Sequence, residues 1–263
     1  MSLTLASDAL EVLVYPEQGF LIGQIRSLAA GHDLLWTQPP AEAFSGKLGP
    51  RGESSVDSFH RSFPEGGSGC SRPQASQGGS RTSHTWHHGE AARLPWRVMG
   101  PSDGTRIRAE ILLRDDRLKL VRVLRLHRET LTVSSRVTNI GRTPIAWSAG
   151  EHPCFDRKAF AGGRILLESC ESWIPAPHYD PRHALLSASA RFEWPHAPAV
   201  NGYRLDLSEV PHFRSRRHEH VALSLGSREI LLRSPKLGIN VRLTIDEGLP
   251  YALLWEYFDD QKT

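Results

Sequence analysis

Short runs in which apolar side chains fall on every second position recur along this chain, and that pattern excludes most folds before any single residue is considered. Leu10, Val12 and Val14 begin the series. Arg106 to Leu113, Leu118 to Leu126, Leu131 to Val137, Arg164 to Leu167, His220 to Leu225, Glu229 to Leu232 and Ile239 to Ile245 continue it, with Gly, Pro or Asn at most breaks. A side-chain period of two marks a strand with one face buried. No stretch of helical length carries a sustained helical apolar period with a cap at each end, so strand-helix alternation is disfavoured. The expected fold is all-β, a large antiparallel β-sandwich of two sheets packed face to face. Leu118, Leu120, Leu124, Leu126, Val133, Val137, Val241 and Leu243 should take inward positions. Arg114-Asp115-Asp116-Arg117, and Asn139-Ile140-Gly141 ahead of a strand through Trp147, read as hairpin turns.

One sandwich can absorb 263 residues, so a single domain over 1–263 is expected. A net charge of +3 spread over that length is too small to imply a nucleic-acid partner. The basic cluster Arg214, Arg216, Arg217 and His218 reads as a solvated loop. Cys70, Cys154 and Cys170 are an odd number at wide spacings, which fits neither a disulfide framework nor a CxxC zinc site. Reduced thiols and a cytoplasmic setting follow. Met1 to Val14 lacks a signal peptide's basic start and apolar core, and no window is apolar enough to span a membrane. A monomer or weak dimer is expected.

From Gly46 to Gly89 the rhythm breaks into a Ser-, Gly- and Pro-rich stretch, loosest at 66–83. Its ends carry Phe59, His60, Phe63, Trp86, His87 and His88, more than a linker needs, so it reads as a cleft-lining loop. Of thirteen histidines, two sit in a distinctive context. His88 lies in Trp86-His87-His88-Gly89-Glu90, ahead of Arg93 and Pro95-Trp96. His152 lies in Gly150-Glu151-His152-Pro153-Cys154-Phe155, and the following proline keeps it extended, so that its ring projects from a strand end. With Glu90 and Glu151 these histidines could in principle offer metal ligands, but the spacing of a histidine metal motif is missing and no metal or cofactor is expected.

The order of His-Gly-Glu and Pro-Trp, then Val137-Thr138-Asn139 with Gly141, then Gly150-Glu151-His152-Pro153 with Phe155, resembles the aldose 1-epimerase (mutarotase) family. Phe63-Pro64-Glu65 and Leu249-Pro250-Tyr251 to Trp255 extend the match, the latter resembling the family's penultimate core strand. The resemblance implies a galactose mutarotase-like sandwich, a small-molecule sugar substrate and interconversion of the α and β anomers of a free or phosphorylated aldose. It implies that His152 is the acid at the ring oxygen and His88 an orienting partner. Trp86, Glu90, Arg93, Glu219 and Phe155 would be sugar contacts, with Trp96 a further stacking candidate. Glu219 stands where the family usually has Asp.

Anomer exchange needs a base as well as an acid. The family's glutamate base sits on a strand after the Trp-bearing one, and the chain stops at Thr263, so a C-terminal truncation is one expectation. Alternatively Glu256, directly after Trp255, or Glu90 substitutes. Glu256 also reads as a solvated strand-edge residue. The remaining readings are a non-catalytic carbohydrate-binding or sensing protein on the same fold and a polysaccharide lyase or hydrolase; the latter would need paired carboxylates or a Tyr/Arg base set in the cleft.

Overall fold

The computed structural model describes residues 2–36, 59–62, 90–92, 94–113, 118–144, 150–175, 184–212 and 218–257. They fall into two compact units, Met1–Asp156 and Arg157–Thr263. The described parts are nearly all antiparallel sheet.

The first unit holds β1 (Leu3–Ala6), β2 (Leu10–Tyr15), β3 (Leu21–Ser27), β4 (His32–Asp33), β5 (Phe59–Ser62), β6 (Arg97–Val98), β7 (Arg106–Leu113), β8 (Leu118–His127), β9 (Thr130–Asn139) and β10 (Gly150–Pro153). One sheet runs β1-β2-β3-β5-β10 with β4 on β3, and the other β6-β7-β8-β9. Alternation decides what each sheet buries. Ile107, Ala109, Leu113, Leu118, Leu120 and Leu124 from the second sheet meet Leu5, Val12, Val14 and Ile22 from the first, and Phe20 from the turn before β3, in one core. Each such Leu, Ile or Phe contributes roughly 1.5–3 kcal/mol by leaving water.

The runs 106–113 and 118–126 pair antiparallel as expected, Leu113 opposite Leu118, while the turn residues 114–117 and the strand through Trp147 lie outside the described residues. After β9 the Asn139 side chain closes the turn by accepting from the Gly141 amide at 2.8 Å. Val133 and Val137 pack on the core only half-buried, because β9 ends the order of its sheet.

The second unit opens with the short helix α1 (Arg157–Phe160) and continues through β11 (Arg164–Trp173), β12 (Arg191–Phe192), β13 (His196–Pro198), β14 (Arg204–Asp206), β15 (His218–Ser234), β16 (Ile239–Thr244) and β17 (Tyr251–Tyr257). The runs 220–225 and 229–232 are one strand of 17 residues instead of two. Gly226 does not end it, because the chain changes partner there: β17 pairs with 218–224 and β16 with 229–234. The β11 ladder on the other side absorbs the change in two register shifts, between Leu167 and Ser169 and between Ser169 and Glu171. Ile174, Leu186, Ala197, Leu207, Val221 and Leu223 form this unit's core. Val241 and Leu243 are half-buried, not core. Among the described residues no helix is long and apolar enough to cross a membrane.

Candidate functional site

In the first unit, β10 lies antiparallel to β5, with His152 opposite His60 and Glu151 opposite Arg61. Glu151 Oε2 lies 3.0 Å from Arg122 Nη2, the Arg122 side chain being fully buried. Ser135, opposite Arg122 across β8 and β9, donates to Glu151 Oε1 at 3.5 Å. An arginine buried on the core face of β8 is costly unless paired, so this ion pair ties β10 to the second sheet. It also engages the Glu151 carboxylate with Arg122.

Beyond the strand end the chain is strapped down again. The Cys154 carbonyl accepts from the Trp36 amide at 2.9 Å, the Asp156 amide donates to the Leu34 carbonyl at 3.0 Å, and Phe155 bridges Leu35. His152 is half-buried between these two anchors. Its Nδ1 lies 3.1 Å from Cys154 Sγ.

Phe155, expected against a sugar, is half-buried and packs on the core beside Leu35. Trp96 is not a stacking platform: it is 4% exposed, stacks on Phe20 at 5.6 Å and donates its indole N–H to the Ala91 carbonyl at 2.8 Å. A large ring with a satisfied polar tip is core material. Glu90 opens a 3₁₀ turn, Glu90–Ala92; its side chain, together with Trp86, His88 and Arg93, lies outside the described residues. That turn is pressed against Gly19, where an added Cβ would stand 2.1 Å from the Ala92 carbonyl oxygen and φ is +68°. Only glycine fits there.

In the second unit, Glu219 on β15 and Glu256 on β17 are directly opposite one another. They are 2% and 3% exposed. Glu256 is therefore not a solvated edge residue. The alternation of β17 puts it on the face that Ala252 and Leu254 turn to the core, while Tyr251, Leu253 and Trp255 take the exposed face. Glu219 Oε1 accepts the Leu185 amide at 2.6 Å. Directly opposed side chains sit with Cβ atoms about 4.5–5.5 Å apart, which sets two buried carboxyl groups side by side.

One step further along the same strands, Trp255 faces His220. On that exposed side Trp173 and Tyr251 meet edge to face at 6.0 Å.

A basic surface also emerges that is not the Arg214–His218 run, whose side chains lie outside the described residues. Pairing across β7, β8 and β9 collects Arg106, Arg108, Arg125 and Arg136 on the outward face, Arg106 directly opposite Arg125. Arg106, Arg108 and Arg136 line a shallow cavity of about 420 Å³ floored by Val121 and Val123. The acid of that face, Glu110, is engaged by Lys119 at 2.8 Å and by Arg97. Hydrogen bonding from Lys119 and then from Arg97 holds its carboxyl below the usual range. Arginine at every second position was the signal. Among the described residues no group of three or more His, Cys, Asp or Glu is placed to hold a metal.

No protein-family model matches this chain, and no curated protein matches its sequence. Solved structures do match it. The Slr1438 protein of Synechocystis sp. PCC 6803 superposes with a TM-score of 0.69 at 17% identity, over 98% of this chain and 81% of that one. A putative aldose 1-epimerase from Escherichia coli K12 does so with a TM-score of 0.68 at 17% identity, over 97% and 81%. A galactose mutarotase-like protein from Clostridium acetobutylicum follows with 0.65 at 14% identity, over 98% and 81%. The chain has a galactose mutarotase-like fold, and at these identities the likeness extends to the fold alone.

Proposed function

We propose that this protein binds an aldose and interconverts its α and β anomers by acid-base ring opening. The observation that carries the reading is the Glu219–Glu256 pair: two buried carboxylates, directly opposed, on the strands where the mutarotase resemblance looks for a sugar contact and leaves a base in question. A fold shared with a structure described as a putative aldose 1-epimerase supports it.

In this reading a general base takes the proton from the C1 hydroxyl, the role the resemblance leaves to Glu256 or Glu90. The bond between C1 and the ring oxygen breaks as His152 delivers a proton to that oxygen, giving the open-chain aldehyde. Rotation about C1–C2 and the reverse transfers close the other anomer. An imidazole with an ordinary pKa of about 6.5 can give and recover that proton near neutral pH. By the resemblance His88 is the orienting group, and Trp86, Glu90, Arg93 and Glu219 are the candidate sugar contacts.

Polarimetry on freshly dissolved α-glucose and α-galactose tests this. The chain should speed equilibration, and His152→Ala should slow it by about 10²-fold or more, the worth of a positioned general acid. Sugar binding without any acceleration would assign the fold to a carbohydrate-binding or sensing role. Acceleration unchanged in His152→Ala would remove the acid assignment.

A further inference from the structure

We propose that Cys154 is a positioning residue for His152, its thiol engaging Nδ1 so that Nε2 is the ring nitrogen that exchanges a proton with substrate. The inference deepens the epimerase reading and rests on it for the role of His152. The pairing of Cys154 with the ring has its own physical basis.

Cys154 Sγ lies 3.1 Å from His152 Nδ1. Three restraints fix that approach. His152 is in register on β5 through β10. Pro153 stands between the two residues and locks the intervening φ. The Cys154 carbonyl is tied to the Trp36 amide at 2.9 Å. The contact therefore joins two anchored backbones, not two side chains sampling a surface.

Of the proton arrangements open to this contact, a neutral ring donating Nδ1–H to the thiol would leave Nε2 without a proton; we assign the other two, which both put a proton on Nε2. A neutral pair has the thiol S–H donating to Nδ1, which leaves the ring proton on Nε2. A charged pair has the imidazolium Nδ1–H donating to the thiolate, and Nε2 again carries the other proton. An imidazole orients by the bond its second nitrogen makes. Here sulfur makes that bond, and a proton delivered to a ring oxygen leaves from Nε2.

The test uses the whole chain labelled with ¹⁵N at histidine, comparing wild type, Cys154→Ala and Cys154→Ser. His152 is assigned by the resonance that disappears in His152→Asn. At a pH where the ring is neutral, wild type should show Nδ1 as an acceptor and Nε2 as the protonated nitrogen. Cys154→Ala should shift the ring toward averaged tautomers, and Cys154→Ser, whose hydroxyl also donates but reaches less far, should recover most of the wild-type pattern. In polarimetry, Cys154→Ala should lower turnover at saturating sugar by about tenfold with little change in KM, as expected for a misaimed group.

Identical His152 nitrogen shifts in wild type and Cys154→Ala would overturn the proposal. A tautomer change in a wild-type protein that does not equilibrate anomers would support the Cys154–His152 pairing and sink the epimerase reading instead. An unchanged tautomer in an active enzyme would do the reverse.

Discussion

His152 is held by its own neighbourhood in the chain, whereas Glu219 and Glu256 are held by strands that meet only after folding. In the first unit the restraints on the imidazole come from Pro153 next to it, Cys154 two residues on, and a short strand pinned by Glu151 to Arg122. In the second unit the resemblance and the neighbouring Trp255 point to Glu219 and Glu256 one at a time, and nothing local shows that they are buried or that they meet. Glu219 meets Glu256 because β15 runs unbroken through Gly226 and β17 returns along its first half. The histidine site stabilises itself with ion pairing and hydrogen bonds. The carboxylate pair is set by strand register.

The sharpest way to break the comparison is to remove one carboxylate at a time. Glu256→Gln should lower the equilibration rate by about 10²-fold or more while leaving sugar binding nearly intact, as loss of a general base does. Glu219→Gln, whose amide oxygen can still accept from Leu185, should chiefly raise KM. Melting curves recorded on the same variants separate this role from a purely structural one. If instead both lose stability and keep their activity, the pair is structural.

On the other side of the comparison, Arg122→Ala should destabilise the protein by about 3–5 kcal/mol, the cost of stranding one partner of a buried ion pair. A urea titration followed by tryptophan fluorescence would measure it. A change below about 1 kcal/mol would mean that β10 is held by something other than the Arg122–Glu151 pair.

Smaller effects probe the outward face of the same unit. Lys119, then Arg97, depresses the Glu110 carboxyl below its ordinary value. A depressed carboxylate contributes stability that is present above its unfolded pKa, about 4.3, and lost as pH falls through the folded value. Between neutral pH and about pH 3 the wild type should therefore lose more stability than Glu110→Gln, as read from urea midpoints across that range. Parallel curves would show that this ion cluster is fully screened.

The smallest effect concerns the arginines. Arg106 and Arg125 are directly opposed, so Arg125→Glu should raise stability by roughly 0.2–1 kcal/mol at low salt, with the gain shrinking as salt is added. A loss of stability would show that Arg125 makes contacts its charge does not describe.

What the sequence by itself determined was local. Side-chain alternation is a property of each strand alone, so β7, β8 and β9 and the inward places of Leu118, Leu120, Leu124 and Leu126 follow from spacing. His152 could be singled out because its proline and its strand end are neighbours in the chain. Tertiary structure decided the rest, because pairing is not written in any one segment. Whether Gly226 ends a strand depends on which partners lie beside it. Whether Glu256 faces water depends on what covers β17, and whether Trp96 stacks on a ligand or on Phe20 depends on where the turn before β3 packs. Burial and opposition of charge are relations between distant residues, and only the folded chain brings those residues together.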